Sequence, residues 1–393
     1  MKICDLTQFY SPRSGGVKRY VHEKIRFIRS HSPDDEHVLI VPGKRSEISA
    51  GSMSRVYRIA SPLVSPSTQY RALLNLRAVD EIIDSERPDI IESADPYQLG
   101  WKAAAIARRR EIPAVAYYHS DFAEAYLRPT AERLGTRAAT ALTNVAQAYV
   151  RELYSRFELT IAPTHQLADR LHNWGIREVR VVGLGVDTDI FKPAPESAAR
   201  TRAMHSISPE AKLLIYVGRL AREKNTGTLF AAFQLLMMRR PGDFHLLIVG
   251  DGQQRDHLQT LQASTPSVTW LPYCSDAAEL AVLYRAADLF VHPGTQETFG
   301  LVALESQACG TPVVGILGSA MDGIILHDQT AWATENSPEA LADAVERATA
   351  FDLLGTGTAA AEAVTQRFAW RLVFDRLFCI YREVCGSYKR RRL

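Results

Sequence analysis

Short apolar runs of four to six residues, each followed by a longer stretch of helical periodicity, recur along this chain and restrict its fold more than any other feature. Strands separated by helices cannot be joined by hairpins, so they must lie parallel in sheets covered on both faces. The first series comprises Lys2–Thr7, His37–Val41, Ile90–Ser93, Ala114–Tyr118 and Leu159–Ala162. A second begins after residue 210, with Leu213–Val217, His245–Val249, Val268–Leu271, Leu289–His292 and Pro312–Gly315. The pattern predicts an α/β protein of two doubly wound, Rossmann-like units of similar size. A chain of 393 residues, 46% of them hydrophobic, is long enough to fill a core in each.

Between the two series Gly183, Gly185, Pro193 and Pro195 punctuate the chain, and no periodic pattern runs through them. The first domain is therefore expected at 1–190 and the second at 195–368. A last amphipathic pattern, built on Trp370, Val373, Phe374, Leu377, Phe378 and Tyr381, predicts a helix over 369–388 that packs back on the first domain. The basic stretch Lys389–Arg392 beyond it reads as a disordered tail.

Charge and cysteine usage exclude several classes of function. The 46 Lys plus Arg nearly balance 44 Asp plus Glu, for a net charge of +2, which argues against a protein built to hold nucleic acid. Cys4, Cys274, Cys309, Cys379 and Cys385 are odd in number and have no C-x-x-C spacing, which fits a reducing compartment rather than a disulfide framework or zinc site. No apolar run approaches the roughly 18 residues of a membrane span, and Met1–Tyr10 alternates like a strand rather than a signal core, so a cytoplasmic protein is expected.

In open α/β sheets ligands bind beyond the carboxyl ends of strands, so two such sheets facing each other are expected to share a cleft. Gly15 and Gly16 follow the first strand, where a ligand could approach backbone N–H groups, although an ordinary strand-to-helix turn is the plainer reading. His119, Ser120 and Asp121 follow the strand ending at Tyr118. In the second unit Val217 leads into Gly218, Arg219 and Lys224, a pair of cations suited to a diphosphate leaving group. Gly250-Asp-Gly252 opens like a dinucleotide fingerprint, but its third glycine position is Arg255, so hydride transfer ranks low.

The strongest local motif is Glu297-Thr-Phe-Gly-Leu-Val-Ala-Leu-Glu305. On one continuous helix its carboxylates would stand about 80° and about 12 Å apart, too far to form a catalytic dyad. With Glu297 in a loop and a helix starting near Phe299, free N–H groups around Gly300–Val302 could hold phosphate while the two carboxylates take sugar hydroxyls. Asp187-Thr-Asp189 has the D-x-D form of some metal–nucleotide sites, but it lies in the linker and reads as turn chemistry.

Together these segments resemble the retaining glycosyltransferases of family 4, which have the GT-B fold. The resemblance spans Ser14-Gly-Gly-Val17, Tyr118-His-Ser-Asp-Phe122, the linker Gly185–Pro193, Tyr216–Asn225, Val249–Gly252 and the E-x7-E motif Glu297–Glu305, in order along nearly the whole chain. It implies transfer of a sugar from a UDP- or GDP-linked donor to a hydroxyl acceptor without cofactor or metal, the leaving diphosphate taking the acceptor's proton. His119, Arg219, Lys224 and Glu297 would be the catalytic set. The donor would also meet Gly16, Gly218, Gly250, Leu271, the backbone of Phe299, Gly300, Leu301 and Val302, and Glu305 at its ribose. Asp121 and Tyr126 are the acceptor-side candidates.

The run after Tyr118 and the Glu297 motif look like the branch that glycosylates lipids, including mannosyltransferases and sulfoquinovosyl-diacylglycerol synthases. Residues 1–192 carry +4 and the remainder −2, which places Arg108–Arg110, Arg128, Arg133 and Arg137 on the acceptor half, where an anionic membrane surface at the inner face is a candidate partner. The alternatives are a nucleotide-sugar epimerase of the same fold, transfer to a soluble glycan or metabolite, and a sugar-binding protein without catalysis.

Overall fold

The computed structural model of the chain describes residues 1–10, 15–64, 69–119, 136–194, 198–327 and 332–391. It divides into two compact units, one formed by Met1–Leu184 with Trp370–Leu393 and the other by Gly185–Ala369.

The strands of the first unit are β1 (Lys2–Leu6), β2 (Glu36–Gly43), β3 (Glu47–Ala50), β4 (Ser54–Ala60), β5 (Ile90–Ser93), β6 (Ala114–Tyr117), β7 (Leu159–Ala162) and β8 (Val179–Val181). Among the described residues they form one sheet in the order β3-β4-β2-β1-β5-β6-β7-β8, parallel except for the β3–β4 pair. The sequence pattern missed β3, β4 and β8 for lack of an apolar run: β3 is a largely exposed edge strand, β4 beside it is mostly half-buried, and β8 has three residues. Central strands such as β5 and β6 are buried along their whole length, as parallel strands covered on both faces must be.

Two helices of this unit pack against each other through aromatic rings. Gly16–His31 buries Tyr20, Val21, Lys24, Phe27 and Ile28, a stripe at three- and four-residue spacing that is apolar except for Lys24. Trp370–Arg390 buries Trp370, Val373, Phe374, Leu377, Phe378, Ile380 and Tyr381. The rings of Phe374 and Phe378 lie 5.5 and 5.1 Å from that of Phe27. Burying each such ring contributes about 1.5–3 kcal/mol. The expected disordered tail is corrected here: the helix continues through Lys389 and Arg390, and the Arg391 guanidinium pairs with Glu158 while lying over the Tyr388 ring.

The second unit contains β9 (Lys212–Val217), β10 (Phe244–Val249), β11 (Val268–Leu271), β12 (Leu289–Val291) and β13 (Val313–Val314), all parallel, in the order β11-β10-β9-β12-β13. Its division from the first unit falls after Leu184, earlier than the expected boundary at 190. The linker motif packs with the second unit: Arg285 donates to the carbonyls of Ile190 (2.6 Å) and Lys192 (2.7 Å), and Phe191 meets Tyr284 edge-on. Within that motif Asp187 Oδ1 accepts from the backbone N–H groups of Asp189 (3.1 Å) and Ile190 (3.4 Å), an Asx turn.

Strand order reverses between β1 and β5 in one sheet and between β9 and β12 in the other. These switch points open crevices at the carboxyl ends of the strands, the places where such sheets bind ligands.

Candidate active site

In the second unit the exits of β9 and β10 touch through bare backbone. A Cβ on Gly250 (φ +145°) would stand 2.0 Å from the Gly218 carbonyl oxygen, and one on Gly252 would stand 2.4 Å from that of Leu220. The Gly250-Asp-Gly252 run is thus required by packing against the Gly218–Leu220 turn. Arg255, at the third glycine position of a dinucleotide fingerprint, starts the helix Arg255–Ser264, pairs with Asp251 and lies over the Trp270 ring. Gly250 is also tied to the end of β11, its N–H donating to Leu271 O (3.0 Å) and its carbonyl accepting from Trp270 Nε1 (2.8 Å).

Lys224 closes a short 3-10 turn, Arg222–Lys224, beyond β9, and Glu297 lies in the loop beyond β12. The switch point brings them together: Lys224 Nζ stands 2.5 Å from Glu297 Oε1. Asn225, in the left-handed region at φ +57°, ties its turn to the Glu297 loop by donating to Pro293 O (2.8 Å) and to a third loop by donating to Asn336 Oδ1 (2.6 Å). His292, at the end of the β12 run, brings Nε2 to 3.5 Å from Glu297 Oε1. Burial alone would raise the Glu297 carboxyl, but the Lys224 charge and the His292 ring outweigh it and bring the pKa down to about 2. The carboxylate is ionised throughout the neutral range and can only accept hydrogen bonds, as sugar hydroxyls require.

The helix after Glu297 starts at Leu301, two residues later than expected, because Gly300 at φ +94° turns the chain into it. The left-handed conformation at Gly300 favours glycine, and a Cβ there would also meet the terminal methyl of Met321 at 2.3 Å, which the flexible side chain would have to move aside. Ala303 and Leu304 donate to Gly300 O, which leaves the N–H groups of the first turn without carbonyls of their own helix. Phe299 is buried against Phe368 and Glu305 is 2% exposed with the Tyr284 hydroxyl donating to Oε2 at 3.3 Å. Arg219 differs from Lys224 in environment: it is well exposed and its guanidinium lies 3.1 Å from Glu223.

In the first unit Gly16 begins the helix after β1, and Gly15 caps it without a side-chain hydrogen bond. Asp121 and Tyr126, with Ser120, lie outside the described residues. His119 follows β6, half-buried, with its imidazole stacked on Tyr117 (centroids 3.9 Å, planes 6° apart) and meeting Tyr20 edge-on at 4.8 Å. Its Nε2 is buried with no partner among the described residues. Burial, and after it the Lys24 charge, lower its pKa to about 3 against the opposing effect of Asp5, so the ring is neutral at physiological pH.

Behind His119 lies a cluster of buried charges that sequence reasoning missed. Lys24 Nζ donates to Asp5 (2.9 Å), Glu92 Oε1 (3.0 Å) and the Tyr381 hydroxyl (3.1 Å). The Tyr20 hydroxyl donates to Glu92 at 3.0 Å, the Tyr381 hydroxyl to Glu92 Oε2, and His37 Nε2 stands 2.9 Å from Asp5 Oδ2. His292 was missed as well. The available signals were Lys24 on an apolar helix face, Asp5 and Glu92 inside apolar strands, and His292 at the end of a third.

The profile described as "Glycosyltransferase Family 4" matches residues 14–190, and that described as "Glycosyl transferases group 1" matches 198–350. A GDP-mannose-dependent alpha-(1-6)-phosphatidylinositol dimannoside mannosyltransferase of Mycobacterium tuberculosis is 33% identical over 348 residues, 88% of this chain and 87% of that one. A D-inositol 3-phosphate glycosyltransferase of Thermobispora bispora is 33% identical over 73% of this chain and 68% of its own. In fold, the chain is similar to a sucrose-phosphate synthase of Thermosynechococcus elongatus, with a TM-score of 0.76 at 20% identity over 98% and 99% of the two chains. Two Rossmann-like units of the GT-B type and these matches along both of them lead to one assignment: the chain belongs to glycosyltransferase family 4.

Proposed function

We propose that this glycosyltransferase moves mannose from GDP-mannose to a hydroxyl of an inositol-containing glycolipid, with retention at the anomeric carbon and without a metal ion. The observation that carries the reading is the Lys224–Glu297 pair at the switch point of the second sheet, with donor N–H groups at the start of the following helix. Lys224, with Arg219, stabilises the negative charge that grows on the diphosphate as its bond to the sugar breaks. Glu297 accepts from the sugar hydroxyls and Glu305 from the ribose, while Gly218, Gly250 and Leu271 bring backbone close to the nucleotide. His119 contacts the transferred hexose as a neutral imidazole.

No second carboxylate contacts Glu297 among its described partners, Lys224 and His292, which favours a route without a carboxylate dyad. The acceptor oxygen bonds to the anomeric carbon on the face the diphosphate leaves, and the acceptor's proton passes to a diphosphate oxygen. The mannosyltransferase relative supports the donor and a lipid acceptor. The inositol phosphate enzyme favours a second reading in which the acceptor is a soluble inositol phosphate. The relatives are transferases, and nothing in them speaks for the epimerase.

Thermal stabilisation by GDP, UDP and ADP, followed by turnover of GDP-mannose with phosphatidylinositol mannoside or with inositol phosphate, separates these readings. GDP-specific stabilisation and chelator-resistant transfer giving an α-linked product support the proposal. An inverted product, or activity lost with chelator, overturns the retaining, metal-free chemistry. Sedimentation with vesicles containing phosphatidylinositol tests peripheral membrane association. Arg108, Arg109 and Arg110 are all exposed there, Arg109 and Arg110 being paired with Asp80 and Asp84.

A further inference from the structure

We propose that Tyr20 is a positioning residue for His119, clamping the imidazole together with Tyr117, and that the buried Asp5–Lys24–Glu92 cluster and Tyr381 hold Tyr20 in place. The inference rests on the role assigned to His119 in the proposed reaction.

The donor hydrogens of Lys24, Tyr381 and Tyr20 each have an acceptor. The ammonium of Lys24 has three donors and three acceptors: Asp5, Glu92 and the Tyr381 oxygen. Tyr381 returns its own proton to Glu92, and Tyr20 gives its proton to the same carboxylate. Lys24, Asp5 and Glu92 are at most 3% exposed, and removing two carboxylates and an ammonium from water costs several kcal/mol per ion before their attraction offsets it. Apolar residues of equal volume could fill the same space without that cost. What they could not do is fix the direction of a hydroxyl, and hence the plane of the ring that carries it.

That plane is used one layer further out. Tyr20 is held on its other sides by Phe374 at 5.6 Å and by Lys24 over its face at 4.6 Å, and its ring meets both Tyr117 (5.1 Å) and His119 (4.8 Å). Tyr117 is anchored through its own hydroxyl, which donates to Val182 O at 2.6 Å. The imidazole therefore has one ring against its face and another crossing it, each tied down at its far end. The helix Trp370–Arg390 joins the arrangement through Tyr381 and Phe374, so residues about 260 positions away in sequence help to orient His119.

The test compares Tyr20→Leu and Tyr20→Phe, with His119→Ala as reference, using GDP-mannose or whichever donor supports wild-type turnover. Tyr20→Leu is expected to lower kcat by about 10- to 100-fold with donor KM within about twofold, and Tyr20→Phe, which keeps the ring but releases it from Glu92, to recover only part of the loss. The imidazole C–H resonance missing from the His119→Ala spectrum should move in Tyr20→Leu and less in Tyr20→Phe, a response that lost stability alone would not give. Wild-type kcat in a folded Tyr20→Leu enzyme, an unmoved resonance, or a Phe variant no better than Leu overturns the clamp while the role of His119 stands. Full activity in His119→Ala overturns that role and the clamp with it. Should Tyr20→Leu not fold, Glu92→Gln, which weakens the acceptor of the Tyr20 hydroxyl, gives the same two readings: a shifted resonance with lower kcat supports the clamp, and no change in either overturns it.

Discussion

Glu297 shows how one carboxylate is held ready by its neighbours. Lys224 and His292 keep it ionised in a mostly buried position, and a neutral isostere would lose both the charge and the acceptor geometry. Glu297→Gln should lower kcat/KM by about 100- to 1,000-fold while far-UV circular dichroism stays unchanged. The same group links stability to pH. Its folded pKa of about 2 lies below the ordinary 4.5, so the stabilisation is complete above pH 4.5 and disappears as pH falls through 2. The stability difference between wild type and Glu297→Gln, measured by urea unfolding, should therefore shrink by about 3 kcal/mol between pH 6 and pH 2. Lys224 and Glu297 were legible in the sequence because they sit in motifs at strand exits. His292, Lys24, Asp5 and Glu92 were not, since a charged or titratable residue inside an apolar pattern acquires meaning only when its partner, up to 357 positions away in the case of Tyr381, is known.

At the scale of elements, the second unit depends on close backbone approach and on capping. Gly250→Ala would press a methyl group against the Gly218 carbonyl, and a loss of about 3 kcal/mol is expected on urea unfolding, with the donor loop displaced. Asp276 accepts from the N–H groups of Ala278 (2.7 Å) and Glu279 (3.1 Å) at the start of helix Ala277–Ala286, and Asp276→Ala should cost a smaller 1–2 kcal/mol or so without changing donor affinity. The central strands could be read from their apolar runs because burial on both faces leaves no choice of residue. The edge strands β3 and β8 could not, because half-exposed positions accept almost any side chain.

At the scale of the whole molecule, the nucleotide and diphosphate contacts proposed here belong to the second unit. GDP at 100 times its Kd should stabilise the protein by about 2.7 kcal/mol, and hydrogen exchange should slow around 218–225 and 292–305. Protection centred on the first sheet would contradict the assignment. The doubly wound character of both units was legible, while their division was read a few residues late because Ile190–Lys192 is held by Arg285, a contact with no local signature. The first unit is also discontinuous: it takes its last helix from Trp370–Leu393, after the whole of Gly185–Ala369. On the ribosome, residues Met1–Leu184 must wait roughly 10–40 s for that helix at ordinary rates of synthesis. During that interval Asp5, Lys24 and Glu92 lack Tyr381, and the apolar face that will receive Phe374 and Phe378 is uncovered. The nascent first unit is thus the stage of this protein's life at which chaperones have the most to hold.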